Sequence, residues 1–266
     1  MRIAVPGVPD SSEAAVIDRG SFVASYVVTK PGTPAVYETA TPHVACNYVT
    51  HLDALAYAAW AGLRPMTELE FEKACRGPIK PVPNEYAWGS DRIAGMDSWT
   101  GQYKLRNAGR PDETLVWEGV DGPDAARGNA VCDRTNDELS GPLRVGIFAT
   151  PESDRVLAGA SYWGILDLSG NVLERPIHVT YATGRAFVGI HGHGGAGPWT
   201  NIAAGPGGHG LGIGMRGSGW PEGSHAGGWG RDEGLRVSNR HTSANSTMYG
   251  GSRHYAQGFR GVRTAP

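Results

Sequence analysis

Cysteine is scarce. Cys46, Cys75 and Cys132 are the three in 266 residues, widely spaced and without a CxxC pair, which excludes a disulfide framework and a zinc knuckle and suits a reducing compartment. Lysine is nearly as rare, limited to Lys30, Lys73, Lys80 and Lys104, so the other basic residues are all arginine, the better residue for fixed planar hydrogen bonds. No strong charge of either sign is present: 24 basic residues face 26 acidic ones for a net of -2, which gives no broad field for nucleic acid or an anionic membrane. No apolar run approaches the roughly 18 residues a membrane helix needs, and MRIAVPGVPDSS lacks the apolar core of an export signal. The expectation is a protein with no nucleic-acid partner, no membrane span and no signal peptide, either cytoplasmic or carried on a phage virion or a surface through a partner. P-loop, nucleophile-elbow and dinucleotide fingerprints are also missing from any supporting context.

What is abundant is glycine, 40 residues, with 18 prolines, a level that implies irregular backbone but not low-complexity disorder. The length suits one compact domain. SFVASYVVT, bounded by Gly20 and Pro31-Gly32, predicts a strand entering an edge hairpin. HLDALAYAAWAG predicts a helix closed by Gly62. Thr67 and Glu70 form a capping box for a second helix that buries Leu69, Phe71, Ala74 and Cys75 and stops at Arg76-Gly77. From Pro78 to about Ser161 turn pairs dominate, and Tyr86, Trp88, Trp99 and Trp117 are expected to anchor a long structured-loop region.

Past Gly184 the composition changes. Glycine supplies 23 of the last 83 residues, seven of the nine histidines lie from His178 onward, and residues 216–266 carry a net +4, a modest anion-attracting patch. His191-Gly192-His193 could chelate a metal with His178 or His209 as third ligand, or be a flexible glycine loop.

Four blocks in order, LRPMTELEFE (63–72), YAWG (86–89), GILDLSGNVLE (164–174) and GFR (258–260), resemble the formylglycine-generating enzyme family, the sulfatase-modifying factors, over roughly residues 45–263. The resemblance implies an α+β fold, the elaborated C-type-lectin fold of the formylglycine-generating enzyme type, loop-rich, with two helices and a small antiparallel sheet. It divides the chain into N-terminal strands, 1–45, completing a lectin-like domain over 46–266. RPMTELEFEKACRG, LSGNVLERP, TGRAFVGIHG, LRVSNR and GFRGVRTAP are similar to a narrower branch, the variable proteins of diversity-generating retroelements. In that branch a C-terminal stretch is rewritten by mutagenic reverse transcription, here expected within 216–263 and centred on 221–257.

That resemblance implies a ligand-binding protein for an unknown protein or cell-surface ligand, with Ser224, His225, His241, Thr242, Met248, Tyr249, Ser252, His254, Tyr255 and Gln257 as the variable surface. Such a mixture of tyrosine and small polar residues is paratope-like. Trp220 and Phe259 would anchor the core beneath it, Arg216, Arg236, Arg240, Arg260 and Arg263 would clip loops, and Gly258 would occupy a turn that disfavours side chains. No catalytic residue and no redox cofactor are expected. The family's oxidases hold copper with two C-terminal cysteines, whereas no cysteine follows Cys132 and the three present lie outside the matching region. The iron-dependent sulfoxide synthases of the family need an extra helical domain that 266 residues do not accommodate. The alternatives are such an oxidase or another metalloenzyme using the histidine cluster, and a structural virion or surface-assembly domain. The motif GxxDxxGNxxE further implies a structural calcium ion held by the Asp167 and Glu174 side chains and the Gly170 and Val172 carbonyls. The alternative is that Asp167 and Glu174 pair with Arg175 or another arginine.

Overall fold

The computed structural model describes residues 3–4, 26–28, 36–39, 41–94, 103–118, 124–132, 141–193, 199, 212–220, 233–240 and 253–265. Helix α1, His51–Trp60, begins where Thr50 accepts from the Asp53 amide at 3.1 Å while the Asp53 carboxylate takes the Thr50 amide at 2.9 Å. This Thr-x-x-Asp box, which the sequence reading passed over, satisfies two otherwise orphaned donors. Ala54, Leu55, Ala58 and Ala59 form the buried face, and Gly62 follows at φ 64° as expected of a left-handed terminator.

Helix α2, Glu68–Arg76, has the expected capping box, Thr67 accepting from the Glu70 amide at 3.1 Å and Glu70 from the Thr67 amide at 2.9 Å. Its inner stripe differs from the expectation. Leu69 is 56% exposed, whereas Glu68 is fully buried beside Phe71 and Cys75. The stripe runs 68, 71, 72, 75, the i, i+3, i+4, i+7 pattern of one helical face. Two of those four positions are glutamates, so a reading that followed only apolar residues turned the helix by one position. Gly77 closes it at φ 63°, and a Cβ there would stand 2.2 Å from the Tyr162 ring.

Among the described residues the strands are short and fall into three antiparallel sheets rather than one. β1 (Ile3–Ala4) and β2 (Tyr26–Val28) flank β3 (Val36–Thr39), which realises the expected hairpin. β4 (Arg64–Pro65) pairs with the C-terminal β7 (Gly261–Val262), Arg64 opposite Val262. Between them β5 (Tyr103–Arg106) and β6 (Thr114–Trp117) form a hairpin inside the stretch read as loop. Its signal was the alternation in YKLR followed by Asn107 and Gly109, both at positive φ. Tyr86 and Trp88 are buried as expected, stacked at 4.8 Å. Trp117 is half-buried, edge-on to Tyr103 at 4.9 Å. Trp99 lies outside the described residues.

The segment 171–178 is the spine of the domain. Ile177 donates to Met66 at 2.7 Å and accepts from Glu68 at 2.8 Å on one side. On the other side Glu174 and Arg216 exchange both backbone bonds at 2.9 and 3.0 Å, and His178 donates to Gly212 at 3.0 Å. Near its start, Leu173 takes the returning C-terminal chain, donating to Ala256 at 2.8 Å and accepting from Gly258 at 2.9 Å. Gly258 does not need its glycine for a positive φ. A Cβ there would lie 2.5 Å from Val172 Cγ2, so the requirement is space. Gly258→Ala is expected to destabilise by about 1–3 kcal/mol through overpacking, read as a lower midpoint in thermal unfolding.

Candidate ligand-binding site

The C-terminal chain from Arg253 to Arg260 is fixed against the spine and the start of α1. Tyr48 donates to the His254 carbonyl at 3.1 Å, Asn47 Nδ2 to the Tyr255 carbonyl at 2.8 Å, and Trp220 Nε1 to the same carbonyl at 3.2 Å. Arg253 binds the Tyr48 carbonyl at 3.1 Å and Asp53 at 2.8 Å, and so ties the segment to the α1 cap. Trp220 is buried with Val131, Leu143, Ile147 and Phe148, its ring 5.3 Å from that of Tyr255. Phe259 is partly buried against the α1 cluster.

Below this segment four of the five expected arginines clip loops, Arg216 more deeply than expected, while Arg263 is exposed. Arg216 binds Glu68 at 3.0 Å, Glu72 at 2.8 Å and the Val237 carbonyl at 2.5 Å, all from a fully buried side chain. Arg240 reaches the same two glutamates at 3.1 and 2.6 Å from the half-exposed side. Arg260 binds Glu174 at 2.8 Å and the Leu166 carbonyl at 3.1 Å, and Arg236 reaches Asn84 at 3.4 Å. Glu68 is a framework residue that sequence reasoning missed. Its signal was a carboxylate on the inner stripe of α2.

Of the expected surface residues, His254 and Tyr255 are half-buried and adjacent, their rings 4.0 Å apart. Gln257 is corrected. It has no exposure, and its Oε1 accepts from Arg175 Nη2, so it belongs to the floor of the site. The parallel bridge from Leu173 to Gln257 and the close fit of Gly258 turn this side chain inward. Ser224, His225, His241, Thr242, Met248, Tyr249 and Ser252 lie outside the described residues.

Burial, and then the positive charge of Arg175, hold the His254 imidazole down to about 4 from an ordinary 6.5. The unfolded chain therefore takes up a proton in that window that the folded chain refuses, and the His254 contribution to stability is lost as pH falls from about 6.5 towards 4. Arg175→Met is expected to raise the His254 pKa partway towards its ordinary value, with burial still opposing protonation, as read by NMR titration of the imidazole.

Of the motif carboxylates Glu174 is buried and Asp167 partly so, and loss of solvent around the carboxyl groups holds both above the usual carboxylate range. Asp167, at φ 58°, accepts from the Gly146 amide at 2.8 Å and from Asn171 Nδ2 at 3.4 Å. Glu174 spends Oε1 on Arg260, while its Oε2 is buried without a partner. The arginine paired with Glu174 is thus Arg260, and Arg175 turns to Gln257, as neighbours in extended chain must diverge. Glu174 thus keeps one carboxylate oxygen unpaired within reach of the Asp167 charge, and carboxylate oxygens are the donors a hard cation takes. Among the described residues no group of three or more His, Cys, Asp or Glu gathers around a possible metal position.

The His191-Gly192-His193 run is not a free loop. Gly192 donates to the Leu63 carbonyl at 2.8 Å and lies so close to α1 that a Cβ would stand 2.2 Å from Ala59 Cα. His191 Nε2 accepts from the Thr264 amide at 3.0 Å, which occupies one possible metal-binding nitrogen. His178 is buried, its Nδ1 accepting from the Thr180 amide at 3.2 Å, and His209 lies outside the described residues.

The three thiols occupy separate surroundings. Cys75 is buried among Met66, Phe71 and Leu168, and burial pushes its thiol well up. Cys132 is buried in another cluster with Tyr86 and Trp88. Cys46 is exposed as a residue with a sheltered sulfur, and that shelter, followed by the Asp53 charge, raises its thiol as well. A copper dithiolate needs two deprotonated sulfurs side by side. These cysteines do not fit one.

Residues 20–265 match the Sulfatase-modifying factor enzyme 1-like domain. The chain belongs to that family, whose fold is C-type-lectin-like. The match begins upstream of residue 45 and takes in all three cysteines, which corrects the expectation that they lie outside it. The chain is 41% identical over 76 residues to the formylglycine-generating enzyme of Mycobacterium tuberculosis, covering 27% of this chain and 23% of that protein. It is 32% identical over 94 residues to the formylglycine-generating enzyme of Thermomonospora curvata, covering 34% and 27%. To the hercynine oxygenase of Mycolicibacterium smegmatis it is 50% identical over 45 residues, covering 16% and 10%. These alignments thus span only about a quarter of each relative's length or less, and all three relatives carry enzyme names. Among the described residues no helix is long and apolar enough to cross a membrane.

Proposed function

We propose that this chain binds a protein or cell-surface ligand without catalysing a reaction, through a C-terminal surface diversified by a retroelement. The observation that carries the non-catalytic part is the separation of the thiols. Cys75 and Cys132 sit in different core clusters, and the chain has no cysteine after Cys132. Binding needs a rigid support beneath a changeable surface, and the bonds from Asn47, Tyr48 and Trp220 to residues 254–255 supply that support. The expected contact set is Ser224, His225, His241, Thr242, Met248, Tyr249 and Ser252, with the exposed edges of His254 and Tyr255.

The oxidase alternative is tested by giving the copper-treated protein a cysteine-containing peptide and oxygen. The expected result is the same slow background oxidation in the wild type and in a Cys46→Ser, Cys75→Ser, Cys132→Ser variant. Conversion of the peptide cysteine to an aldehyde by the wild type alone would overturn the reading.

Calcium belongs to the same reading as a structural ion at Asp167 and Glu174. Calcium added to chelator-stripped protein at about 100 times its dissociation constant is expected to stabilise by about 2.7 kcal/mol. Glu174→Gln should abolish that response in thermal unfolding. An identical response in the variant would remove the site.

A further inference from the structure

Four arginines are buried among the described residues, Arg64, Arg76, Arg175 and Arg216. Three are neutralised by carboxylates: Arg64 by Glu70 at 2.5 Å, Arg76 by Glu72 at 2.5 Å and by Glu85, and Arg216 by Glu68 at 3.0 Å and Glu72 at 2.8 Å. Among the described residues Arg175 pairs with no carboxylate. Its Nη2 donates to Gln257 Oε1, and its Nε is buried with no acceptor. The Gln257 amide nitrogen is also buried and donates to nothing. The adjoining carboxylate, Glu174, is taken by Arg260.

A buried cation without a counter-ion is costly, and buried donors without acceptors add to that cost. Folds keep such groups where something else completes them. The pair sits beneath the turn from His254 to Gln257, in which the Gln257 amide donates to the His254 carbonyl at 3.1 Å. His254 is close enough to feel the Arg175 charge.

We propose that Arg175 and Gln257 form a carboxylate-binding site under the C-terminal face. The guanidinium supplies the charge, and the Arg175 Nε–H and Gln257 Nε2–H groups donate to the carboxylate oxygens. A carboxylate suits this pair because its two oxygens can take two N–H donors while facing a planar cation. The proposal deepens the reading of this face as a ligand surface and rests on it. The carboxylate belongs either to a small free acid or to an acidic side chain of a bound polypeptide.

The test is thermal unfolding of the whole chain at pH 7 in sodium acetate against sodium chloride at equal ionic strength. Wild type should show a saturable, acetate-specific rise in midpoint, and Arg175→Met should lose it. Gln257→Glu supplies the carboxylate from within, so its midpoint should be raised without acetate and should no longer respond. This variant decides the matter if Arg175→Met fails to fold. A capped glutamate, N-acetyl-glutamate amide, that reproduces the acetate effect assigns the site to an acidic side chain of a partner. A response to acetate alone assigns it to a small acid. No acetate-specific rise in wild type, or an equal rise in all the variants that fold, would overturn the proposal. Because the probe is a simple anion, a C-terminal sequence found invariant would sink the diversified-surface reading while leaving a positive anion result standing.

Discussion

Arg216→Ala is expected to cost about 3–5 kcal/mol, the usual loss when one member of a buried ion pair is removed. The reason is local. Glu68 is fully buried and Glu72 mostly so, and Arg216 neutralises both while also donating to the Val237 carbonyl and lying 5.2 Å from the Phe71 ring. Arg240 still reaches both glutamates after the change, from the solvent side, so the loss should fall in the lower half of that range. For a domain of this size each kcal/mol moves the unfolding midpoint by about 2–4 °C, so the drop should be on the order of 10 °C. Pairing the change with Glu68→Gln tests the mechanism, since removing the stranded charge should recover part of the loss. If the double variant loses as much as the sum of the two single changes, the interaction does not hold the spine to α2 in the way the distances imply.

The second large effect is expected at Trp220. Trp220→Ala removes the central side chain of the cluster formed with Val131, Leu143, Ile147 and Phe148, which is worth about 3–5 kcal/mol for a buried aromatic. It also removes the Nε1 bond to the Tyr255 carbonyl and the ring against which Tyr255 packs at 5.3 Å. The loss should therefore exceed that of Tyr255→Ala, in which the tryptophan keeps its buried cluster. It should also loosen the C-terminal segment, which hydrogen exchange at the Ala256 and Gln257 amides would register. Unchanged protection at those amides in a folded Trp220→Ala protein would show that the tail is held by Asn47, Tyr48, Leu173 and Arg253 without the tryptophan.

Both helices were legible because their signals are local: capping boxes, terminal glycines and apolar spacing. The phase of α2 was not, because Glu68 and Glu72 owe their buried positions to Arg216, which lies 148 residues from Glu68 in the chain. Trp220 was recognised as an anchor from its resemblance to a lectin-like framework, and its burial agrees. Gln257 was misplaced because its polarity suggested a surface, while the constraint that buries it is the pairing of its segment with Leu173. Arg175 was equally hidden. Next to Glu174 in sequence it reads as a salt-bridge partner, and only the opposed directions of adjacent residues in extended chain show that it is left without an acid. The hairpin of β5 and β6 escaped a search for helical periodicity, since its signal has period two.

The most direct test of the account is to sequence the coding region of the C-terminal segment from many copies of the locus, together with any neighbouring near-repeat and reverse transcriptase. The expected result is substitution confined to adenine positions of the repeat, concentrated at Ser224, His225, His241, Thr242, Met248, Tyr249 and Ser252. The buried framework of Trp220, Arg216, Gln257 and Gly258 should be left intact. A segment that is invariant across copies, with no repeat beside it, or substitutions that fall as often on Trp220 and Gln257 as on the expected contact residues, would contradict it.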